Sequence, residues 1–265
     1  MVIQNYTPYQ EVNQILHMLL GNVKEILRDE FLGMYLYGSL SSGDFHPKAS
    51  DIDFLVVTRN PIPENIIHEL KEMHNRLWKS SLRWASKLEG SYIPQHPLRR
   101  YQPSVEAYPT INEARFYVAP HGSDWIIQRH IIREYGKVLD GPDPKSLIDP
   151  VPPEEIRRAV LGILNEWWFP MLDHPAWLRD HDDHYHSYAI LTMCRVLHAL
   201  EYGTIVSKPL AAQWTRENFK EWSQVIEQAL DQRIDKGHYE LYDASIRFIR
   251  FTKDRVNTEN IQSHT

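Results

Sequence analysis

One cysteine, Cys194, occurs in 265 residues, so no intrachain disulfide can form and a reducing cytoplasm is the expected setting. No stretch approaches the roughly 20 consecutive apolar residues that a bilayer-spanning helix needs. The amino terminus also lacks the basic region and apolar run of a secretory leader, so neither membrane insertion nor export is expected. Positive charge is the minority sign: 29 Lys and Arg against 35 Asp and Glu leave a formal net charge of −6. That balance argues against nucleic acid as a partner, which would demand clustered cations, and suits a cationic small molecule better. The glycines near residue 40 are not followed by Gly-Lys-Ser/Thr, which excludes a Walker-type phosphate loop. Internal repeats and low-complexity tracts are absent as well. What remains is an ordinary globular composition, 42% hydrophobic and 24% charged, long enough for two modest domains with cores of their own.

The most informative segment runs from Gly38-Ser39-Leu40-Ser41-Ser42-Gly43-Asp44 to Ser50-Asp51-Ile52-Asp53-Phe54-Leu55-Val56-Val57. In a strand, side chains alternate between faces, so Asp51 and Asp53 point one way while Ile52, Phe54 and Val56 enter a core. Two carboxylates on one face at the mouth of a sheet suit a divalent cation such as Mg²⁺. Upstream, Tyr35-Leu36-Tyr37 reads as a strand that Gly38 and Ser39 turn sharply into a helix, whose free N–H groups can hold phosphate. Asp44 reads as a cap for that helix.

Periodicity gives the wider organisation. Val12, Ile15, Leu16, Leu19, Val23, Ile26 and Leu27 form one helical stripe over residues 11–27. Strands are predicted at Met34–Tyr37, Ile52–Thr58 and Lys87–Ile93, and helices at Pro63–Trp78 and Asp124–Tyr135. The proline- and aromatic-rich stretch Pro94–Pro109 reads as a loop. Prolines and glycine from Gly141 to Pro153 mark a boundary, dividing the chain into residues 1–149 and 150–265. Beyond it the pattern is helical: Glu154–Met171, Ser187–Tyr202, Lys208–Asn218 capped by Ser207, Phe219–Ile234 and His238–Phe251, with a frayed tail from about Asn257. The fold class is therefore α+β (α/β) in the first half, followed by an α-helical bundle.

The Gly-Ser turn followed by Asp-x-Asp resembles the signature of the nucleotidyltransferase superfamily, and the string from Tyr37 to Val57 is similar to the aminoglycoside adenylyltransferase branch. The second half resembles the same branch through Leu191–Arg195 and Gly203–Trp214. The resemblance implies a nucleotidyltransferase domain with a mixed sheet flanked by helices, then a helical domain, with ATP as co-substrate and Mg²⁺ bound between them. The implied reaction transfers AMP to a hydroxyl of a cationic acceptor, an aminoglycoside such as streptomycin or spectinomycin, and releases pyrophosphate. Asp51 and Asp53 are then the metal ligands, Gly38 and Ser39 the phosphate turn, and Glu89 matches the family's general base. Arg195 and Lys208 match cations that reach the triphosphate. Lys208 falls in the first turn of its predicted helix, where a cation is unfavourable unless an anion is nearby.

Pro175-Ala176-Trp177-Leu178-Arg179-Asp180 matches a family segment whose acid faces the aminoglycoside, which makes Asp180 the acceptor contact, with Trp177 and Asp182 beside it. The chain also departs from its relatives. The stretch Glu227–Arg233 lacks their nucleotide-contacting tyrosine, and no tryptophan matching their sugar-holding one is evident near Phe116–Asp124. Two other functions stay open: adenylylation of a partner protein, and nucleotide-dependent regulation without turnover.

Overall fold

In the computed structural model, which describes residues 5–103 and 106–262, the chain forms two units: residues up to Phe45 together with Ser50–Pro150, and Val151 onward together with His46–Ala49. The first unit runs α1 (Gln10–Leu27), β1 (Phe31–Leu36), α2 (Gly38–Ser42), β2 (Ile52–Thr58), α3 (Glu64–Trp78) and β3 (Leu88–Pro94). It continues through α4 (Gln95–Arg99), β4 (Ala107–Asn112), β5 (Arg115–Pro120), α5 (Asp124–Tyr135), β6 (Lys137–Asp140) and α6 (Pro144–Leu147). The six strands form one mixed sheet in the order β5-β4-β3-β2-β1-β6, in which β2 and β3 are parallel and every other pair is antiparallel.

Strand alternation sorts this unit into two cores. Ile52, Phe54, Val56, Leu88 and Tyr92 face one way and pack under the apolar stripes of α1 and α3. Tyr35, Tyr37, Leu55, Val57 and Ile93 face the other way with Trp125 and Ile132 of α5. Asp53 and Glu89 lie on this second face, Asp53 two residues before Leu55 and Glu89 four residues before Ile93. Each fully buried large side chain contributes roughly 1.5–3 kcal/mol.

Three features differ from the sequence reading. The stretch Pro94–Pro109 is not all loop: it contains α4 and the start of β4, while Ser104 and Val105 lie outside the described residues. The β4–β5 hairpin turns through Glu113 (φ 50°) and Ala114 (φ 54°), both left-handed without the usual Asn-Gly signal. Pro109 is accommodated in β4, where its carbonyl accepts from Ser91 Oγ at 2.9 Å. Strand β6 has only four residues, too few to show a period.

The second unit comprises α7 (Pro153–Ile163), a π-helical turn at Leu164–Trp168, α8 (Pro170–Asp173), α9 (Ala176–Arg179), α10 (Asp183–Tyr202), α11 (Lys208–Asn218), α12 (Ser223–Arg233) and α13 (Tyr242–Gln262). Helix α10 is the hub, packed by α7, α11, α12 and α13. The expected single helix Glu154–Met171 is interrupted, because Pro170 has no N–H and its ring crowds the preceding turn. Phe169 N–H instead reaches Leu164 O at 2.8 Å, the wider π-type bond. The tail also differs from expectation, since α13 continues past Asn257 to Gln262; residues 263–265 lie outside the described residues. Among the described residues no helix is long and apolar enough to cross a membrane.

Candidate active site

Gly38 opens α2 in the left-handed region, φ +62°. A β-carbon there would overlap the Asp53 carboxylate, 2.7 Å from its Cγ. Only glycine lets the turn after β1 pass this close to an acid. Tyr37 N–H donates to Asp53 O at 3.1 Å and ties the turn to the strand mouth. Helix α2 is a single turn that ends at Gly43 (φ 82°), with Asp44 N–H returning to Ser39 O at 3.1 Å. Asp44 thus closes the carboxyl end of this turn through its backbone, rather than capping the start of a helix. Ser39 lies in the first turn, next to the glycine.

Parallel pairing puts Asp53 directly opposite Glu89, one strand spacing of about 4.8 Å away and on the same face. Asp51 immediately precedes β2, and its carboxylate Oδ1 lies 3.1 Å from Lys87 Nζ. Between the two strands and α5 sits Tyr37, 7% exposed. Burial first, then the Asp53, Glu89 and Asp124 carboxylates, hold its phenol well above the usual range. Tyr37 therefore remains a neutral O–H donor among three acids.

Asp124 is the residue that sequence reasoning missed. It is the first residue of α5, where an acid is an ordinary helix-start signal, so nothing local distinguishes it. Its placement follows from His121, three residues earlier. Ser91, two residues beyond Glu89 on β3, gives its proton to Pro109 O and lies 3.1 Å from His121 Nε2, which must then be the donor. His121 stacks flat on Trp125, at 3.7 Å and 5°, and burial followed by the Arg129 charge keeps the imidazole neutral, its pKa lowered to about 3. The start of α5 is thereby fixed to the strand that bears Glu89. Tyr117 of β5, 42% exposed, also feels Glu89 and Asp124, its phenol raised first by burial and then by those carboxylates.

The second unit gathers another set. Arg195 is half-buried on α10, two turns from Tyr188 and on the same helix face. Lys208 is the first residue of α11, whose cap Ser207 accepts from Leu210 N–H, and its Nζ lies 4.4 Å from the Tyr188 ring centre. Trp177, 40% exposed, meets Trp167 and Tyr185 edge-on, each at 5.3 Å, and His181 at 3.9 Å. Asp180 is exposed at the end of α9. Asp182 caps α10, its carboxylate accepting from Tyr185 N–H at 2.9 Å, a structural task the sequence did not disclose.

Asp51 and Asp53 offer hard oxygen donors, and among the described residues no group of three or more His, Cys, Asp or Glu is disposed to hold a metal alone. Such a pair fits Mg²⁺, which is usually held by one or two carboxylates together with substrate phosphates and water.

A mixed sheet with a Gly-Ser turn against a strand-borne acid pair defines a nucleotidyltransferase. The family description "Nucleotidyltransferase domain" matches residues 20–96, which contain Gly38, Ser39, Asp51, Asp53 and Glu89. The description "Aminoglycoside adenylyltransferase, C-terminal domain" matches residues 146–255, which contain Trp177, Asp180, Asp182, Arg195 and Lys208. The chain is 28% identical over 217 residues to an aminoglycoside (3'') (9) adenylyltransferase of Shigella flexneri, covering 78% of this chain and 79% of that one. It is 24% identical over 221 residues to a spectinomycin 9-adenylyltransferase of Enterococcus faecalis, covering 79% and 80%. The crystal structure of an Enterococcus spectinomycin adenyltransferase with ATP and spectinomycin has the same fold, with a TM-score of 0.72 at 20% identity over 92% of this chain and 98% of that one. The chain belongs to the aminoglycoside adenylyltransferase family of the nucleotidyltransferase superfamily and is an adenylyltransferase.

Proposed function

We propose that the protein transfers AMP from ATP to a hydroxyl of an aminoglycoside such as streptomycin or spectinomycin, releasing pyrophosphate, in the cytoplasm. The observation that carries this reading is Asp53 paired with Glu89 in register, against the turn at Gly38. Asp51 and Asp53 are assigned to Mg²⁺, which when bound supplies neutralising charge for the triphosphate. Gly38 and Ser39 are assigned to the phosphates through backbone amides and the serine hydroxyl. Glu89 takes the proton from the acceptor hydroxyl as the new O–P bond forms and the bond to pyrophosphate breaks. Tyr37, held protonated by burial and by the Asp53, Glu89 and Asp124 charges, adds no negative charge to this acidic group.

Arg195 and Lys208 are assigned to the triphosphate, and Trp177, Asp180 and the remaining oxygen of Asp182 to the cationic acceptor. Acids beside an aromatic face suit a polyamine sugar, because ammonium groups are favoured by both. The test is incubation with labelled ATP, Mg²⁺ and an aminoglycoside panel, then with a cell lysate. Label on streptomycin or spectinomycin supports the reading. Label only on a lysate protein, lost in Asp51→Asn, would replace it with protein adenylylation.

A further inference from the structure

We infer that Tyr188 is a positioning residue for Lys208: its ring face holds the ammonium group in place for the triphosphate. The inference rests on the assignment of Lys208 to ATP made above. A lysine at the first position of a helix faces the positive end of the helix dipole, an unfavourable place for a cation. It is also a long, flexible chain that loses side-chain entropy when ordered. The structure supplies a counterweight, since Lys208 Nζ lies 4.4 Å from the centre of the Tyr188 ring, within the range of a cation–π contact.

The ring is itself held. Tyr185 lies 5.5 Å away and Trp168 6.0 Å away, both tilted against it. Trp168 is 2% exposed and closes the π-helical turn that Pro170 imposes, so this end of the aromatic row is anchored in the core. Tyr188 is 42% exposed, which leaves ring surface open to the Lys208 ammonium group. Capping by Ser207 and a proline at the second position of α11 fix the helix start from which Lys208 extends. Tyr188 lies two helical turns before Arg195 on one face of α10, so the contact draws Lys208 to the side of α10 that bears the other expected phosphate ligand. A phosphate can thus meet a cation already ordered, with less entropy lost on binding.

The experiment measures ATP affinity by calorimetry without any acceptor, in Tyr188→Leu, Tyr188→Phe, Lys208→Met and the double variant Tyr188→Leu/Lys208→Met, each checked for native melting. Tyr188→Leu removes the ring at similar bulk and should weaken ATP roughly threefold to tenfold, the span of a partly exposed cation–π pair. Tyr188→Phe keeps the ring face and should retain the affinity. In the Lys208→Met background, Tyr188→Leu should add nothing. Unchanged affinity in Tyr188→Leu while Lys208→Met loses it would overturn the positioning role and leave the phosphate role standing. An equal loss in the Lys208→Met background, or a Phe variant as weak as Leu, would also overturn it. No loss in Lys208→Met would remove the phosphate role itself, and the inference with it.

Discussion

Gly38 and Asp53 are packed so closely that the glycine has no room for a β-carbon, which would sit 2.7 Å from the carboxylate carbon. The pair joins the two halves of the sequence motif: the turn adopts its left-handed conformation where the acid must lie, and the acid is on the strand that faces the turn.

Gly38→Ala is therefore expected to fail twice. The left-handed backbone costs a non-glycine residue about 1–2 kcal/mol, visible as a lower urea midpoint. The displaced Asp53 carboxylate should remove most of the turnover even under conditions where the variant is fully folded. A folded Gly38→Ala protein with wild-type turnover would show that this close approach does not matter to the reaction.

Glu89→Gln and Asp53→Asn separate two assignments on one face of the sheet. Glu89→Gln should bind ATP normally and lose about 10²- to 10⁴-fold in kcat, the usual contribution of a general base. Asp53→Asn should lose its response to Mg²⁺ titration as well as its rate. Identical behaviour of the two variants toward Mg²⁺ would show that the roles are not divided in this way.

The distribution of what the sequence disclosed has physical causes. The bounds of β2 and α5, and α11 with its Ser207 cap, were legible because each carries a clean period bounded by a turn or cap. The β4–β5 hairpin was hidden because Pro109 lies inside a strand and Glu113-Ala114 fill a turn normally signalled by Asn-Gly. The π-helical turn was hidden because the apolar spacing continues across Pro170. Asp124 and Tyr188 were illegible for a different reason. One looks like a helix start and the other like a surface tyrosine, and only tertiary packing brings them to Tyr37 and Lys208.

His74 gives a prediction about pH. It is fully buried on α3, its Nε2 2.8 Å from the Tyr92 hydroxyl, and burial lowers its pKa to about 3. The unfolded chain has the ordinary histidine value near 6.5, so it takes up the proton first as the pH falls. The stability held by neutral His74 is complete above pH 6.5 and is lost progressively toward pH 3, by about 2 kcal/mol at pH 5. His121, lowered for the same reason, contributes with the same sign. Urea midpoints from pH 7.5 to 5 should fall in the wild type and fall less steeply in His74→Leu; equal slopes would mean that His74 is not the group responsible.

Cys194 offers a direct test of whether ATP engages the second unit. It is the only thiol in the chain, fully buried on α10 beside Arg195, and burial pushes its pKa up to about 12. A thiol in that state reacts with alkylating reagents only when the helix opens, so the labelling rate follows the population of the open form. A ligand that binds the closed form alone lowers that population by a factor of one plus the ratio of free ligand to Kd, about a hundredfold at one hundred times Kd. ATP with Mg²⁺ should therefore slow modification of Cys194 if Arg195 and Lys208 take part in holding it. Arg195→Gln should lose most of that protection, because the contact being reported is the one proposed for it. If ATP were held by the Gly38 turn and the acid pair alone, it could bind tightly and leave the labelling rate of Cys194 unchanged.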